Sequence, residues 1–408
     1  MKPRISAMLL CFLLCLSACG PGGASAEAPE VPESAPEEAA PFEAAPPPEE
    51  PAPPAPPAPT VATLAVCGDA MSHMPLTNDA WNGERYDYAR IMAGAGPWVE
   101  AADYAVVNLE TTLSGGPPYS GYPAFNSPDD LAHDLKALGF DLCLTANNHS
   151  LDHGFSGLSR TLDVLDEAGL RHVGSSRTQE EFDRNTVVAD VGGVSVAFLG
   201  YTYGTNGIPL PKQHPYALNV FNTDYLTTLS KPDRDRLAGD LEAARALDTD
   251  LIAVMIHWGL EYRLTQNRYQ EELADFLFEH GADIILGGHS HVPQPMELRT
   301  LPDGRQGFVC YSLGNFISSQ TKPDTDVTAV LTLELTRDNE TGEARVTDYA
   351  YRPMYMLHRP EGTSPRFELL DIHAALESGE TGDALRRKLD GALETCHAVF
   401  GEEGDRSI

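Results

Sequence analysis

Five short apolar runs in this chain each end at a residue that can bind a metal ion. Each run has the continuous apolar pattern of a strand that is buried on both faces of a sheet. The runs are residues 64–69, 104–110, 142–149, 251–257 and 284–291, and they end at Asp69, Glu110, His149, His257 and His291. Because the pattern recurs five times, we expect these polar residues to meet at one edge of one sheet, where they would form a metal site.

The first residues have the features of an export signal. Lys2 and Arg4 give a positive start, and residues 8–16 form an apolar run that is too short to span a membrane as a mature helix. Small residues then precede Cys19, as in a bacterial lipobox, where the cysteine becomes the lipidated first residue. We therefore expect residues 1–19 to be a lipoprotein signal peptide that anchors the chain at the extracellular face of the cell membrane. The alternative is an ordinary signal peptide with a chance cysteine.

Residues 20–60 are nearly all Pro, Ala and Glu, and their one aromatic residue is Phe42. Such a segment buries too little apolar surface to offset the entropy lost on ordering, and its proline content makes it extended. The sequence therefore predicts a disordered spacer that holds a domain away from the membrane. A tail without a role is the alternative.

The part of the chain after the spacer is strongly acidic. The net charge is −32, and the eight spacer glutamates together with Lys2 and Arg4 account for −6 of it, which leaves −26 on residues 61–408. This charge argues against nucleic acid as a partner, because phosphate binding needs patches of Lys and Arg. A polyanionic substrate would need metal ions or local basic residues to be tolerated.

Strand patterns alternate with helical ones after residue 60, which predicts an α/β layered fold. The predicted helices are residues 128–138, 156–168, 233–247, 268–280 and 382–397. Residues 308–311, 328–335 and 345–352 lack intervening helices and suggest a second, antiparallel sheet packed on the first. We expect a domain over 61–358 and a peripheral helical extension over 359–408. Residues 201–220 are rich in Gly, Pro, Asn and Tyr, and predict either a loop near the site or a surface loop.

Four cysteines remain after the predicted leader, namely Cys67, Cys143, Cys310 and Cys396. They form no CxxC motif or disulfide framework. Cys67 and Cys143 lie within strand patterns, where a buried free thiol is the usual state. We therefore expect structural thiols.

The residue types at the strand ends suit a transition metal. His289 and His291 form an i, i+2 pair after two glycines, which allow a tight turn. His257 and Asn148 also follow apolar runs, and Asp69 and Glu110 supply negative charge. A mixture of imidazole, carboxylate and amide ligands suits one or two divalent ions of Mn, Fe or Zn, whereas Ca prefers oxygen ligands alone.

Six motifs in order resemble those of the CapA family, the bacterial capsule and poly-γ-glutamate biosynthesis proteins, a branch of the calcineurin-like metallophosphatases. The matching segments are residues 68–69, 108–110, 147–154, 257–262, 288–292 and 312–316. The resemblance covers about residues 62–355. It implies a four-layer α/β/β/α sandwich with the metal site at strand ends.

The resemblance also implies roles for individual residues. Asp69 and Glu110 would be carboxylate ligands, with Glu110 as the candidate bridge between two ions. The remaining ligands would be His291 at the first ion and Asn148, His257 and His289 at the second. His149 would stand beside the site as a general acid. Metallophosphatases open with Asp-x-His, whereas here His73 lies further along and is at most a displaced ligand.

Other polar and aromatic residues in these motifs each have two interpretations. Asn108 and Asn315 fix loops behind the ligands or bind metal, and Asp152 orients a histidine or caps the helix that follows. Glu261 is a candidate base or a structural carboxylate. Trp258 and Tyr262 form a wall of a substrate pocket or pack in the core.

Three functions are compatible with these features. The leading hypothesis is a lipid-anchored protein of poly-γ-glutamate or related capsule production with a metal-dependent hydrolase-like site. Its partners would be an anionic capsule polymer or wall-derived substrate, the membrane and a capsule synthase complex. The alternatives are a secreted metal-dependent phosphoesterase and a non-catalytic scaffold that binds polymer.

Overall fold

A computed structural model describes residues 57–184 and 186–406 of the chain. The predicted leader, Cys19 and nearly all of the predicted spacer lie outside the described residues. The described residues belong to one compact unit. Among the described residues, no helix combines the length and the apolar character that a membrane crossing requires.

Fourteen strands and ten α-helices make up the described part of the chain. The strands are β1 (Thr60–Ala70), β2 (Tyr104–Leu109), β3 (Leu142–Leu144), β4 (Arg171–Val173), β5 (Val187–Val191), β6 (Val194–Thr202), β7 (Leu251–His257), β8 (Ile284–Gly288), β9 (Pro293–Thr300), β10 (Gln306–Leu313), β11 (Asn315–Ile317), β12 (Val327–Arg337), β13 (Ala344–His358) and β14 (Phe367–Asp371). The helices are α1 (Met74–Ala80), α2 (Ala89–Met92), α3 (Gly96–Glu100), α4 (Asp130–Ala137), α5 (Gly154–Ala168), α6 (Gln179–Asp183), α7 (Arg234–Arg245), α8 (Arg268–Glu279), α9 (Ile372–Glu377) and α10 (Asp383–Phe400).

The strands form two mixed sheets. Sheet I has the order β14-β13-β12-β1-β2-β3-β4, with β11 also paired to β1, and sheet II has the order β5-β6-β7-β8-β10-β9. In sheet I, strands β1 to β4 are parallel, whereas β12 to β14 are antiparallel to their neighbours. In sheet II, β6, β7, β8 and β10 are parallel, and β5 and β9 are antiparallel edge strands.

The prediction of a separate antiparallel sheet is wrong. Strand β10 runs parallel to β8 inside sheet II, whereas β12 and β13 extend sheet I. The reason is that β1 has parallel β2 on one side only and needs a partner for its other edge. Strand β12 supplies that partner over seven residue pairs, from Thr60↔Arg337 to Val66↔Leu331.

The two sheets pack face to face and helices cover their outer faces. The core between the sheets includes Leu64, Leu331, Leu286 and Phe308, all buried. A second apolar cluster packs α7 and α8 on sheet II, and its members include Leu241, Leu273, Leu277 and Val254. Helices α4 and α5 contribute Leu131, Leu135, Leu158 and Leu162 to the larger cluster, which contains sheet I. The predicted four-layer α/β/β/α sandwich is confirmed.

The five predicted helices are confirmed to within a few residues as α4, α5, α7, α8 and α10. Local signals explain two of their boundaries. Asn267 and Gln270 form a reciprocal capping box at the start of α8, and Gly169 ends α5 with φ +77°.

The C-terminal segment is part of the same core. Strand β14 pairs with β13, so residues 359–406 are not only helical. Helix α10 buries Leu389, Cys396 and Phe400 in the larger apolar cluster. Cys396 and the other three predicted structural thiols are free and buried, and burial raises the pKa of each.

Candidate metal centre

The strand ends that carry the predicted ligands converge from two sheets. Asp69 is the next-to-last residue of β1 and Glu110 directly follows β2, so both lie at strand ends of sheet I. His257 ends β7, and His289 and His291 follow β8, so all three belong to sheet II. The expectation of one edge of one sheet is therefore wrong, because the first three apolar runs form sheet I and the last two form sheet II.

The carboxylates and imidazoles form two overlapping groups in which the ligand atoms lie within 4.8 Å of one another. One group is Asp69, Glu110 and His257, and the other is Glu110, His289 and His291. Glu110 belongs to both, which is the position of a bridging ligand. The closest approaches are 3.4 Å between His257 Nε2 and Glu110 Oε1 and 3.4 Å between His291 Nδ1 and Asp69 Oδ2. Two atoms bound to one ion at about 2.1 Å in tetrahedral geometry lie about 3.4 Å apart.

Several potential ligand atoms in this cluster have no hydrogen-bond partner among the described residues. They are both carboxylate oxygens of Glu110 and the Nδ1 atoms of His289 and His291, and all three residues are buried. A buried carboxylate without a partner is strongly unfavourable in a protein interior. A divalent ion would satisfy these atoms, so the residues present fit the metal that the resemblance implies.

Electrostatic interactions within the cluster shift the pKa values of its members. Burial opposes ionisation of Asp69, but the adjacent imidazoles of His291 and His257 hold its pKa below the usual value. Burial disfavours the charged form of His291, yet Glu110 and Asp69 raise its pKa to about 9. Burial and the neighbouring His257 and His291 lower the pKa of His289. The carboxylates of Asp69 and Glu110, both on sheet I, therefore favour a positive charge on His291.

The backbone after β8 is shaped for the cluster. His289 and His291 have φ of +95° and +59°, in the left-handed region that residues other than glycine rarely adopt. A Cβ at Gly288 would lie 2.6 Å from Asp69 Oδ1, so only glycine allows the two sheets to approach here. The His289 N–H donates to Asp69 Oδ2 at 3.1 Å and joins the two halves of the cluster. Backbone strain of this kind is concentrated at functional sites.

Three asparagines support the cluster from sheet I. Asn108 donates to Asp69 Oδ1 at 2.8 Å, and Asn147 donates to Asn108 Oδ1 at 3.1 Å. The Asn148 Oδ1 lies 2.9 Å from His257 Nε2, close to the Glu110 carboxylate. Asn148 is thus positioned as an additional ligand, and Asn108 holds a ligand in place.

His149 is buried beside the cluster and is oriented by Asp152. Its Nδ1 lies 2.7 Å from Asp152 Oδ2, which also accepts a hydrogen bond from Phe125 N at 2.7 Å. The Phe125 ring packs edge-on against the imidazole at 4.7 Å. The remaining nitrogen, Nε2, faces Asn206 Nδ2 at 3.4 Å. Asp152 therefore orients a histidine, and the cap position of α5 belongs to His153.

His73, Asn315 and Glu261 lie around the cluster without joining either group. His73 packs edge-on against Phe125 at 4.9 Å, and burial together with His291 and His149 lowers its pKa to about 4. Asn315 donates to the His291 carbonyl at 3.3 Å and is paired in register with Asp69. Glu261 is exposed.

Of the two interpretations of Trp258, packing in the core is the one that the structure shows. Its side chain is fully buried in the apolar cluster under α8, and its Nε1 donates to the Tyr311 carbonyl at 3.0 Å. Side chains alternate between the two faces along β7, and Trp258 continues the series Ile252, Val254 and Ile256 on the face that packs under α8, opposite to His257. Tyr262, in contrast, lies 5.9 Å from the His291 ring between centroids.

The loop over residues 201–220 reaches the cluster, which resolves the alternative that its sequence left open. Asn206 accepts a hydrogen bond from Asn148 Nδ2 at 3.0 Å and has φ +51°. The Tyr203 ring lies 4.4 Å from His289. Neither residue was predicted individually, and the loop's composition was the only signal. A cavity of about 560 Å³ opens beside His289, and its lining includes Tyr203, Leu260 and Glu261.

These observations define an α/β sandwich with a buried carboxylate–histidine centre where the two sheets meet. The family model for the bacterial capsule synthesis protein PGA_cap matches residues 63–320. The chain belongs to this family, and the resemblance to CapA is confirmed.

Two relatives from Bacillus cover most of the chain. The chain is 31% identical over 342 residues to the capsule biosynthesis protein CapA of Bacillus anthracis, and the aligned region covers 81% of this chain and 77% of that protein. It is 26% identical over 298 residues to the PGA biosynthesis protein CapA of Bacillus subtilis, and the aligned region covers 72% of this chain and 67% of that protein. A solved phosphatase from Mycoplasma pneumoniae covers 72% of this chain and 94% of its own, with 14% identity and a TM-score of 0.42, a likeness too weak to carry an argument.

Proposed function

We propose that this chain acts in the production of poly-γ-glutamate or a related capsule polymer through a metal-dependent, hydrolase-like centre. The observation that carries the proposal is the buried Glu110 carboxylate, which belongs to both groups of metal-capable side chains and has no hydrogen-bond partner among the described residues. The names of the Bacillus relatives supply the polymer. The acidic character of residues 61–408 fits metal ions as the means of tolerating a polyanion.

The proposed ligands are Asp69, Glu110, Asn148, His257, His289 and His291. Divalent ions of Mn, Fe or Zn at these positions would supply Lewis acidity and an activated water. The protein itself supplies the proton-carrying group. Asp152 holds His149 by its Nδ1, so the Nε2 is the atom that can hold a proton for a leaving group. Glu261 remains a candidate base at the edge of the cavity.

A complementation experiment tests the proposal. The full chain and its His257→Ala variant are expressed in a polymer-forming host that lacks its own CapA protein, with the exposed His133→Ala as the matched control. We expect the full chain and the control to restore surface polymer and His257→Ala to fail at equal surface abundance. Restoration by His257→Ala would instead favour the non-catalytic scaffold.

A second candidate function, a metal-dependent phosphoesterase, is favoured by the oriented His149 beside two groups of metal-capable side chains. Manganese-dependent turnover of bis(4-nitrophenyl) phosphate by the purified chain would support it, provided that His257→Ala abolishes the turnover. The absence of turnover with Mn, Fe and Zn would contradict it.

We further propose that lipidated Cys19 anchors the chain at the extracellular face of the membrane, where it meets its polymer or a capsule synthase complex. The support is the lipobox-like sequence before Cys19 and the Pro-rich segment after it. Metabolic labelling with a tagged fatty acid tests this. We expect incorporation into the full chain and its loss in Cys19→Ser, whereas equal labelling would contradict the anchor.

A further inference from the structure

Lys322 is an exposed cation close to the metal centre of a strongly acidic domain. Its Nζ lies 3.5 Å from the centroid of the Tyr262 ring. Within the described ranges 57–184 and 186–406, no carboxylate lies within salt-bridge distance of this ammonium group. A cation over an aromatic face is attracted by the ring quadrupole, yet its N–H donors remain available to an anion.

Tyr262 is fixed to the metal-binding loop. Its φ is +61°, and its N–H donates to the carbonyl of Ser290, between His289 and His291, at 2.8 Å. Its ring lies 5.9 Å from the His291 ring. Burial and the nearby Glu261 and Glu110 raise the pKa of its hydroxyl, so the group stays neutral. The strained backbone therefore places an aromatic platform next to a proposed ligand.

The loop that carries Lys322 is tied to the same place by Asn315. The Asn315 Nδ2 donates to the His291 carbonyl at 3.3 Å, to Gln320 Oε1 at 3.0 Å and to the Thr325 carbonyl at 3.0 Å. The Thr325 hydroxyl in turn donates to the Lys322 carbonyl at 2.7 Å. The position of Lys322 is thus set by a chain of hydrogen bonds that begins at the metal-binding loop.

The cavity on the His289 side of the centre has the reverse charge, and its Glu261 also lies beside the Tyr262 hydroxyl. The cavity beside His289 is lined by Glu261 and by neutral residues, and none of its lining residues is Lys or Arg. An anionic group that approached the centre from the cavity would meet a carboxylate. From the Lys322 side, the same group would meet an ammonium ion.

We propose that Lys322, held on the Tyr262 ring, binds an anionic oxygen group of the substrate beside the metal centre. The group is a carboxylate of a polymer repeat or a phosphate oxygen, since both accept hydrogen bonds from an ammonium ion. This inference rests on the proposed action of the centre on an anionic substrate. It assigns the orientation of that substrate, with its anionic part on the Lys322 side.

Binding measurements on the purified full chain test the assignment without requiring catalysis. The first probe is a fluorescein-labelled γ-linked glutamate decamer followed by fluorescence anisotropy. We expect Lys322→Ala to raise its Kd about tenfold, and Lys322→Arg to retain most of the affinity. Tyr262→Leu, which removes the ring, weakens binding, whereas Tyr262→Phe, which keeps it, does not. The matched control is Lys388→Ala, an equal charge change at an exposed position on α10.

The second probe distinguishes the source of the anion. If the group is a phosphate, Lys322→Ala raises the KM for bis(4-nitrophenyl) phosphate about tenfold while kcat and metal content stay unchanged. A change with the decamer alone supports a carboxylate, even where no turnover is found and the hydrolase proposal fails. Values for Lys322→Ala equal to those of Lys388→Ala with both probes would overturn the inference. So would a wild-type chain that neither binds the decamer nor turns over the diester.

Discussion

Two clusters in this molecule combine histidines with a carboxylate, and their geometry differs. In the C-terminal cluster, Asp405 accepts hydrogen bonds from His373 Nε2 at 2.7 Å and from His397 Nε2 at 2.8 Å. In the metal centre, the shortest distances from Glu110 to a histidine nitrogen are 3.4 Å to His257 and 4.0 Å to His291. The first set are hydrogen bonds, whereas the second set exceed hydrogen-bond distance or lie at its limit.

The difference lies in whether the carboxylate of each cluster has hydrogen-bond partners. The Asp405 carboxylate is saturated by two imidazoles that join α9 and α10 to the end of the chain, and both imidazoles are partly exposed. Glu110 is fully buried, and both of its oxygens are without a hydrogen-bond partner in the described part of the chain. A saturated cluster holds a structure together by itself, whereas the buried one needs a cation. Residue types alone do not separate the two cases.

The largest expected effect is on metal content. We expect the full chain to bind about one to two Mn, Fe or Zn ions and the His289→Ala, His291→Ala double variant to lose them, because the centre then keeps only His257 of its three proposed histidine ligands. Plasma mass spectrometry of the purified proteins measures this. The matched control is the His373→Ala, His397→Ala double variant, which should keep its metal. Equal metal content in the two double variants would remove the distinction between the clusters.

A second prediction concerns the sign of a stability change at Glu110. In chelator, we expect Glu110→Gln to be about 1–3 kcal/mol more stable than the wild type, because a neutral amide costs less to bury than a carboxylate that accepts no hydrogen bond. With manganese at about 1,000 Kd the order reverses, because the wild type gains about 4.1 kcal/mol and the variant gains much less. Urea unfolding with and without chelator measures both values.

The control for this prediction is Glu261→Gln, which changes an exposed carboxylate near the same cavity. We expect its stability to respond to chelator as the wild type does. A Glu110→Gln variant that is destabilised equally in both conditions would show that Glu110 is not a metal ligand.

The sequence predicted the chemistry of the centre better than its architecture. Continuous apolar runs identify buried strands, and the residue after each run lies at a strand end, so Asp69, Glu110 and His257 follow from local pattern. Which sheet a strand joins depends on pairing across hundreds of residues, which local pattern does not contain. The distribution of the ligand-bearing strands over both sheets was therefore missed. The packing of Trp258, in contrast, follows from the alternation of side chains along β7, which places it on the face opposite to His257.

The loop residues that support the centre could not be predicted from the local sequence pattern either. Asn206 lies 58 residues from Asn148 in sequence, and only the fold brings the two amides to 3.0 Å. Lys322 lies in a polar stretch between β11 and β12 with no feature that marks it. The left-handed backbone of His289 and His291 was anticipated only through the glycines before them.

The C-terminal cluster should respond to mutation in stability alone. We expect Asp405→Asn to lower the free energy of unfolding by about 1–3 kcal/mol, because an amide replaces a carboxylate that accepts from two imidazoles. Metal content should stay at the wild-type value. The matched control is Asp390→Asn, at an exposed position on α10, with little expected change. Loss of metal in Asp405→Asn would show that the two clusters are coupled and would contradict the distinction between a saturated cluster and a metal centre.

The smallest expected effect tests whether the metal centre depends on a surrounding layer of hydrogen bonds that the saturated C-terminal cluster does not need. Asn206 accepts from Asn148 Nδ2, which turns the Asn148 oxygen toward His257. We expect Asn206→Gly to weaken manganese binding about tenfold without loss of folding, because glycine also adopts φ +51°.

Asp248→Gly is the matched control for this change, since Asp248 also has positive φ, at +56°, and lies before β7, away from the strand ends that carry the ligands. Isothermal titration with manganese measures both variants. Equal affinities would mean that the two sheets alone orient Asn148, and the loop would then act on substrate rather than on metal. A loss confined to Asn206→Gly would mean that the centre is assembled from three parts of the chain, the ends of both sheets and the loop over residues 201–220.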